Sequence, residues 1–116
     1  MTGRNVLISR KTEKGTEDQW GFFVSGAYAE MTKMCGIYEV IFRLEYMVCG
    51  EVRLEQVRPI FEAAKDELLS NPEKYKEYQE PYLLNPDHNA YLYILRFVEG
   101  VCFFASLDNS LTYKVE

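Results

Sequence analysis

The chain has 116 residues, 47% hydrophobic side chains and a formal net charge of −5. This length suits one domain with its own core, and the balance of apolar and charged residues is typical of a globular protein rather than a disordered one. Direct nucleic-acid binding is disfavoured, because it needs several cations to neutralise phosphates and the largest basic cluster is Arg10, Lys11 and Lys14.

The cysteines and the apolar segments predict a compartment. Cys35, Cys49 and Cys102 are odd in number and form no CxxC pair, which predicts reduced thiols in the cytoplasm rather than a secreted disulfide framework. Cys102 lies in an apolar run and is expected in the core, whereas Cys35 and Cys49 each precede a glycine and are expected to be accessible. Residues 1–11 lack the apolar run of a signal peptide, and charges interrupt the apolar segment 37–48, so no membrane association is expected.

The first part of the chain predicts strands. Residues 5–11 and 20–26 are rich in β-branched and aromatic side chains, and the polar residues 12–19 between them predict a hairpin loop. Residues 27–34 fit either a short helix or a strand. Apolar side chains alternate through residues 37–48, which predicts a long strand with one buried face.

The middle of the chain predicts helices. Apolar residues recur at spacings of three and four over residues 54–68, the pattern of an amphipathic helix. These residues are Leu54, Val57, Phe61, Ala64 and Leu68. Pro59 lies inside the pattern, so the helix is either kinked or begins near Pro59. Asn71 and Pro72 predict the start of a second, short helix, which Pro81 limits to about two turns.

The last part of the chain predicts a loop and three strands. Residues 80–89 are dense in turn residues, whereas 90–98 and 101–107 are apolar and predict two strands joined at Glu99 and Gly100. Residues 111–115 predict a final strand. Strands and helices are segregated along the chain, which predicts a single α+β domain over residues 1–116. We expect one antiparallel sheet of about five to six strands packed against one long helix plus one or two short helices.

No motif predicts catalysis, a cofactor or a metal site. Glycine-rich phosphate loops, HExxH, GxSxG and EF-hand loops are absent from the sequence. The single histidine, His88, would need a cysteine or an acid to approach it in space. Carboxylates on or beside predicted strands are Glu39, Glu45, Glu51 and Glu99. An enzyme that uses His88 or a carboxylate pair therefore remains only a minor alternative.

The segment 73–84, EKYKEYQEPYLL, is the candidate binding surface. Tyr75 and Tyr78 share a face of the short helix, where they either pack on the core or anchor a partner, because tyrosine is enriched at interface hot spots. The predicted partner-binding residues are Tyr75, Tyr78, Tyr82, Glu73, Glu77 and Glu80. Acidic residues outnumber basic ones over 51–88, which favours a protein partner with a basic surface.

These patterns favour a non-enzymatic protein-binding module, an inhibitor or adaptor, over two alternatives. Small acidic inhibitors such as phage anti-defence proteins and immunity proteins share this general profile, as an analogy of class only. The second interpretation is a protein that binds a small apolar ligand between the sheet and the long helix. A dry cavity of several hundred Å³, roughly the size of known ligand sites, would distinguish it.

Overall fold

The computed structural model describes residues 3–43 and 51–116. The elements are β1 Arg4–Thr12, β2 Gly15–Val24, α1 Ala29–Cys35, α2 Tyr38–Phe42, β3 Glu51–Arg53, α3 Leu54–Ser70, α4 Ala90–Leu107 and β4 Thr112–Val115, with 3-10 helices at Gly26–Tyr28 and Pro72–Gln79. The strands form one antiparallel sheet in the order β2-β1-β4-β3. The α+β class is confirmed. The described residues hold four strands rather than five to six, and two long helices rather than one.

The first hairpin is longer than predicted. Its turn contains only Glu13 and Lys14, so the predicted loop over 12–19 is wrong. On the other side of β1, β4 pairs with it only over Val6–Ser9, and residues 10–18 are exposed. The outer hairpin therefore projects into solvent on both faces, where a strand needs no apolar side chains and resembles a loop in sequence.

The strand predicted over 37–48 is wrong over Tyr38–Phe42, which form the helix α2. Gly36 adopts a φ of 89° and ends α1, and the chain turns at once into α2. Ile37, Val40 and Ile41 are all buried, and their spacing of three and four fits a helical period, whereas the predicted alternation would put Val40 on the face opposite Ile37 and Ile41. The remainder of the prediction, residues 44–48, lies outside the described residues.

The strands predicted over 90–98 and 101–107 are also wrong, because they form one helix, α4. The Asn89 side chain caps its start by accepting a 2.8 Å hydrogen bond from the Leu92 backbone. Buried residues recur at helical spacing and are Tyr91, Ile94, Phe97, Val98, Val101 and Ala105. By length and composition α4 could cross a bilayer, but core helices pass the same test, and α4 packs its buried face on the sheet and α3.

The main helix forms with the predicted apolar face, but it begins at Leu54 rather than near Pro59. It runs without interruption from Leu54 to Ser70 through Pro59, and all five predicted apolar positions are buried. At its start the Gln56 side chain accepts a 2.9 Å hydrogen bond from the Arg53 backbone N–H. The Phe61 ring packs 5.5 Å from Phe97 of α4, so α3 and α4 share one aromatic core over the sheet.

Gly100 is a packing notch rather than a turn. A β-carbon at this position would lie 2.6 Å from atoms of the Trp20 ring, and that ring is held against Phe97 and Phe104 at 6.3 and 5.7 Å. The tryptophan therefore lies directly against the α4 backbone, and only glycine leaves space for it.

We predict that Gly100→Ala destabilises the protein although alanine is the better helix former. Helix propensity alone would add about 1 kcal/mol of stability. Overpacking against Trp20 should outweigh this gain and give a net loss of about 1–3 kcal/mol in urea unfolding. Ser106→Ala, at an exposed site of α4, should change stability by less than about 0.5 kcal/mol. An increase in stability for Gly100→Ala would show that the notch is not tight.

Candidate interaction surface

The candidate segment leaves α3 as a tight helix. Residues Pro72–Gln79 form 3-10 turns that are interrupted by a kink at Tyr75, whose φ of −105° and ψ of 22° are not helical. Tyr75 is buried and Tyr78 packs against the core, so both side chains turn inward, as the packing alternative predicts. Asn71 does not cap this helix with its side chain, which instead donates to Glu67.

Tyr75 ties the segment to the core. Its side chain is fully buried, and its ring lies 5.9 Å from the Tyr91 ring of α4. Its hydroxyl donates a 2.7 Å hydrogen bond to Glu67 Oε2. Burial first, and then this hydrogen bond, raise the pKa of Tyr75 above its usual value. A residue so enclosed is unavailable to a partner, so the packing alternative describes Tyr75.

Glu67 is the acceptor that fixes the direction of the segment. Its Oε1 accepts from Asn71 Nδ2 at 2.8 Å, and its Oε2 accepts from Lys74 Nζ at 3.2 Å as well as from Tyr75. The Tyr75 hydrogen bond, followed by that from Lys74, lowers the pKa of Glu67. Hydrogen bonds to an ionised carboxylate are stronger than neutral ones. The Glu67 side chain, in the last turn of α3, thus binds Asn71, which precedes the next helix, and Lys74 and Tyr75 within it.

The other two candidate tyrosines are partly buried. Tyr78 packs against the hydrophobic core, and burial raises its pKa. The Tyr82 hydroxyl lies 2.5 Å from that of Tyr28, and burial, followed by this hydrogen bond, raises the pKa of Tyr82. The Tyr28 ring in turn packs 5.3 Å from Tyr93 of α4. Tyr75 and Tyr78 therefore contact the core directly, and Tyr82 is joined to it through Tyr28.

The three candidate glutamates lie on the outside. Glu73, Glu77 and Glu80 are exposed, and within the described residues none of them forms a salt bridge. In this segment the tyrosine side chains thus face the protein, and the glutamate side chains face solvent. We call Glu73, Glu77 and Glu80, with the nearby exposed Asp87, the acidic surface.

Sequence reasoning missed two residues at the end of this segment. Leu83 and Leu84 are 97% and 96% exposed, at the tip of the loop that follows Pro81. Two adjacent leucines between prolines in a turn-rich stretch were the available signal. Their full exposure depends on how the loop is held, which the local sequence does not specify.

His88 serves the loop through its backbone. Its N–H donates to the Asn85 carbonyl at 3.0 Å, and its own carbonyl accepts from the Tyr82 N–H at 2.9 Å. These backbone hydrogen bonds place His88 in the turn that closes the loop. Within residues 3–43 and 51–116, no group of three or more His, Cys, Asp or Glu side chains could hold a metal ion.

The thiols lie differently from the expectation. Cys35 is buried at the end of α1, and burial raises its pKa to about 11. Cys102 is only partly buried, because it lies on the side of α4 that faces the α3–α4 groove, and burial raises its pKa too. A raised pKa keeps a thiol protonated and weakly nucleophilic at neutral pH. Cys49 lies outside the described residues.

The candidate carboxylates do not converge. Glu39 pairs with Arg43 and Glu51 with Lys11, while Glu45 lies outside the described residues. Glu99 lines an open groove of 580 Å³ between α3 and α4. The other lining residues of this groove are Arg58, Glu62, Lys65, Asp66, Cys102, Phe103 and Ser106. It is a charged surface groove, not the apolar interior cavity that the ligand-binding interpretation requires.

Aromatic rings fill the space between sheet and helices where that interpretation would place a ligand. The Phe97 ring lies 5.1 Å from Phe22 and 5.5 Å from Phe61, and Phe61 lies 5.7 Å from Tyr113. These contacts are ordinary ring packing distances. These four aromatic side chains thus serve as core.

Comparison of the chain with protein-family models, with curated proteins and with solved structures gives no match. The function must therefore be argued from the surface that this chain itself presents. Residues 73–84 present exposed glutamates and two exposed leucines, and the buried Tyr75 ring attaches this segment to the core.

We predict that Tyr75→Phe lowers stability in a pH-dependent way. The Tyr75 hydrogen bond depresses the pKa of Glu67, so its stabilisation is present above the unfolded-state pKa of about 4.3 and is lost as pH falls through the folded-state pKa. The difference between wild type and Tyr75→Phe in urea midpoint should be clear at pH 7 and should narrow below about pH 4. Tyr78→Phe is the control and should show no such narrowing. A Tyr75→Phe difference that stays constant down to low pH would contradict the Glu67 linkage.

We predict that the thiols react in a fixed order and that stability needs no disulfide. In a Cys49→Ser background, Cys102 should be modified slowly by a disulfide reagent in the folded protein, and Cys35 only on unfolding, because Cys35 is buried. The melting temperature should not change with reducing agent. Faster modification of Cys35 than of Cys102, or a melting temperature that depends on reducing agent, would contradict this arrangement.

Proposed function

We propose that this protein is a non-enzymatic, protein-binding module that acts as an inhibitor or adaptor in the cytoplasm. Its acidic surface binds a basic surface of a protein partner. The observation that carries this proposal is the acidic surface itself: exposed, unpaired carboxylates on a segment whose tyrosines anchor it to the core.

Eight of the other acidic residues in the described chain form salt bridges, whereas Glu13, Glu17, Asp18, Asp66 and Glu99 do not. Acidic residues in salt bridges within the described chain are Glu30, Glu39, Glu51, Glu55, Glu62, Glu67, Asp108 and Glu116. Such exposed pairs contribute little stability, but they neutralise the local field. Glu73, Glu77, Glu80 and Asp87 also lack salt bridges, and because these four acidic residues outnumber Lys74 and Lys76, residues 73–87 keep a net negative charge that would attract a basic surface.

The rigidity of the segment supports binding rather than mere solubility. The Glu67 contacts, the buried Tyr75 ring and the packed Tyr78 ring fix its backbone before any partner arrives. A surface that is already ordered loses little conformational entropy on association. The tyrosines are thus assigned to support, and the glutamates to contact.

We predict that charge reversal on the acidic surface slows association. Glu73→Lys/Glu77→Lys and a control, Glu13→Lys/Glu17→Lys on the exposed hairpin, change the net charge equally but at different surfaces. Each protein is used to capture partners from cells that naturally express the gene, followed by quantitative mass spectrometry. The partner should be recovered with wild type and with the hairpin control, and lost with the acidic-surface variant.

Kinetics on the purified partner complete the test. The acidic-surface variant should associate at least about tenfold more slowly at low salt, and the difference should shrink as salt is added. Equal losses for both variants would show a nonspecific charge effect. Unchanged association of the acidic-surface variant would show that the partner binds elsewhere.

A further inference from the structure

The loop that follows the acidic surface displays Leu83 and Leu84 almost completely to solvent. Their exposures, 97% and 96%, far exceed those of the other exposed large apolar side chains in the described chain, of which Leu107 has the highest value at 63%. Isolated surface leucines are ordinary, but two adjacent ones that touch nothing are not explained by packing. We call Leu83 and Leu84 the leucine knob.

The leucine knob stands on an ordered base. Tyr82 and Asn85, which flank it, form a β-bridge, with a 3.2 Å hydrogen bond from the Asn85 N–H to the Tyr82 carbonyl. The Tyr82 N–H also donates to the His88 carbonyl at 2.9 Å, and its hydroxyl contacts that of Tyr28. The loop is therefore closed at its neck and attached to the rest of the fold, while its tip points away.

Asn89, which follows the loop in the chain, attaches the loop to the helices on either side of it. The Asn89 side chain donates to the Gln79 carbonyl at 3.3 Å and accepts from the Leu92 N–H at 2.8 Å. One residue thus links the end of the 3-10 helix to the start of α4, directly beneath the loop. Such pre-ordering lowers the entropy that a binding event must overcome.

The shape and charge around the knob define what it fits. A convex apolar tip does not enclose a small molecule but enters a concave apolar site on another molecule. Glu80 and Asp87 lie on either side of the knob along the chain, and both are exposed. Acidic neighbours favour lysine and arginine around the site and oppose approach to an anionic membrane.

We propose that the leucine knob is the anchor of the interface and that it inserts into an apolar cleft, rimmed by lysine or arginine, on a protein partner. This inference rests on the proposed function and adds the partner's local chemistry. The acidic surface steers the approach, and the knob supplies the apolar contact that slows dissociation, as buried anchors at interface centres do.

The test uses the full chain and a phage-displayed library of disulfide-constrained random peptides as the probe. Peptides selected on wild type are measured against Leu83→Asn/Leu84→Asn and against Leu69→Asn/Phe103→Asn, which removes two exposed apolar side chains elsewhere. Binding to the knob variant should weaken by about 30-fold or more, the size of a hot-spot loss, and binding to the control should not change. The peptides should carry apolar residues beside lysine or arginine. Because the knob touches nothing, its variant should keep the wild-type melting temperature.

The outcomes separate this inference from the proposed function. If the peptides bind the knob variant as well as wild type but lose affinity for Glu73→Lys/Glu77→Lys, the acidic surface stands and the knob is not its anchor. Sedimentation with phosphatidylcholine vesicles, with and without phosphatidylglycerol, tests a lipid target, and sedimentation velocity tests a second copy of the chain. Knob-dependent vesicle binding or knob-dependent dimerisation would overturn the assignment to a protein cleft.

Discussion

The ring of Phe97 is the contact on which the arrangement of the fold depends. It lies 6.3 Å from Trp20 and 5.1 Å from Phe22 of β2 on one side, and 5.5 Å from Phe61 of α3 on the other. Phe61 continues the series to Tyr113 of β4. The two long helices and the strands β2 and β4, which are distant in sequence, thus meet through a line of rings. Removing the central ring would separate elements that the chain brings together only at long range.

The same use of aromatic residues explains the surface. Tyrosine buries a ring and still satisfies its hydroxyl, and three such hydroxyls reach specific acceptors: Tyr75 to Glu67, Tyr91 to the Leu68 carbonyl and Tyr113 to the Val40 carbonyl. The high aromatic content is therefore mostly structural. What remains for contact with other molecules is what these rings support, namely the unpaired carboxylates and the leucine knob.

The sequence predicts the amphipathic α3 correctly because polar residues separate its apolar positions and reveal the period. In α4 almost every residue is apolar, so no period shows, and Gly100 imitates a turn until Trp20 is seen beside it. Over residues 37–48 the alternation of apolar side chains suggests a strand, but the chain turns at the left-handed Gly36 into a short helix that buries Ile37, Val40 and Ile41 together.

The candidate site divides in the same way. The spacing of Tyr75 and Tyr78 predicts that they act together, whereas the kink at Tyr75 and its inward direction depend on packing against Glu67 and Tyr91, which the segment does not contain. The exposure of Leu83 and Leu84 depends on the closed neck of their loop. Local sequence thus identifies the residues of the candidate site, and tertiary packing determines which of their side chains are buried and which are exposed.

The projecting half of the hairpin has a consequence for motion. Ser9 is the last residue of β1 that β4 pairs with, and its buried hydroxyl donates a 2.7 Å hydrogen bond to Asp18. Beyond it, the strand pairs from Arg10 to Thr12 rest on β2 alone, with exposed side chains on every residue. Amide hydrogen exchange should therefore change abruptly at Ser9, with slow, core-limited exchange on one side and rapid exchange on the other. The hairpin is one pair of strands, but the backbone hydrogen bonds of its inner and outer halves should have very different lifetimes.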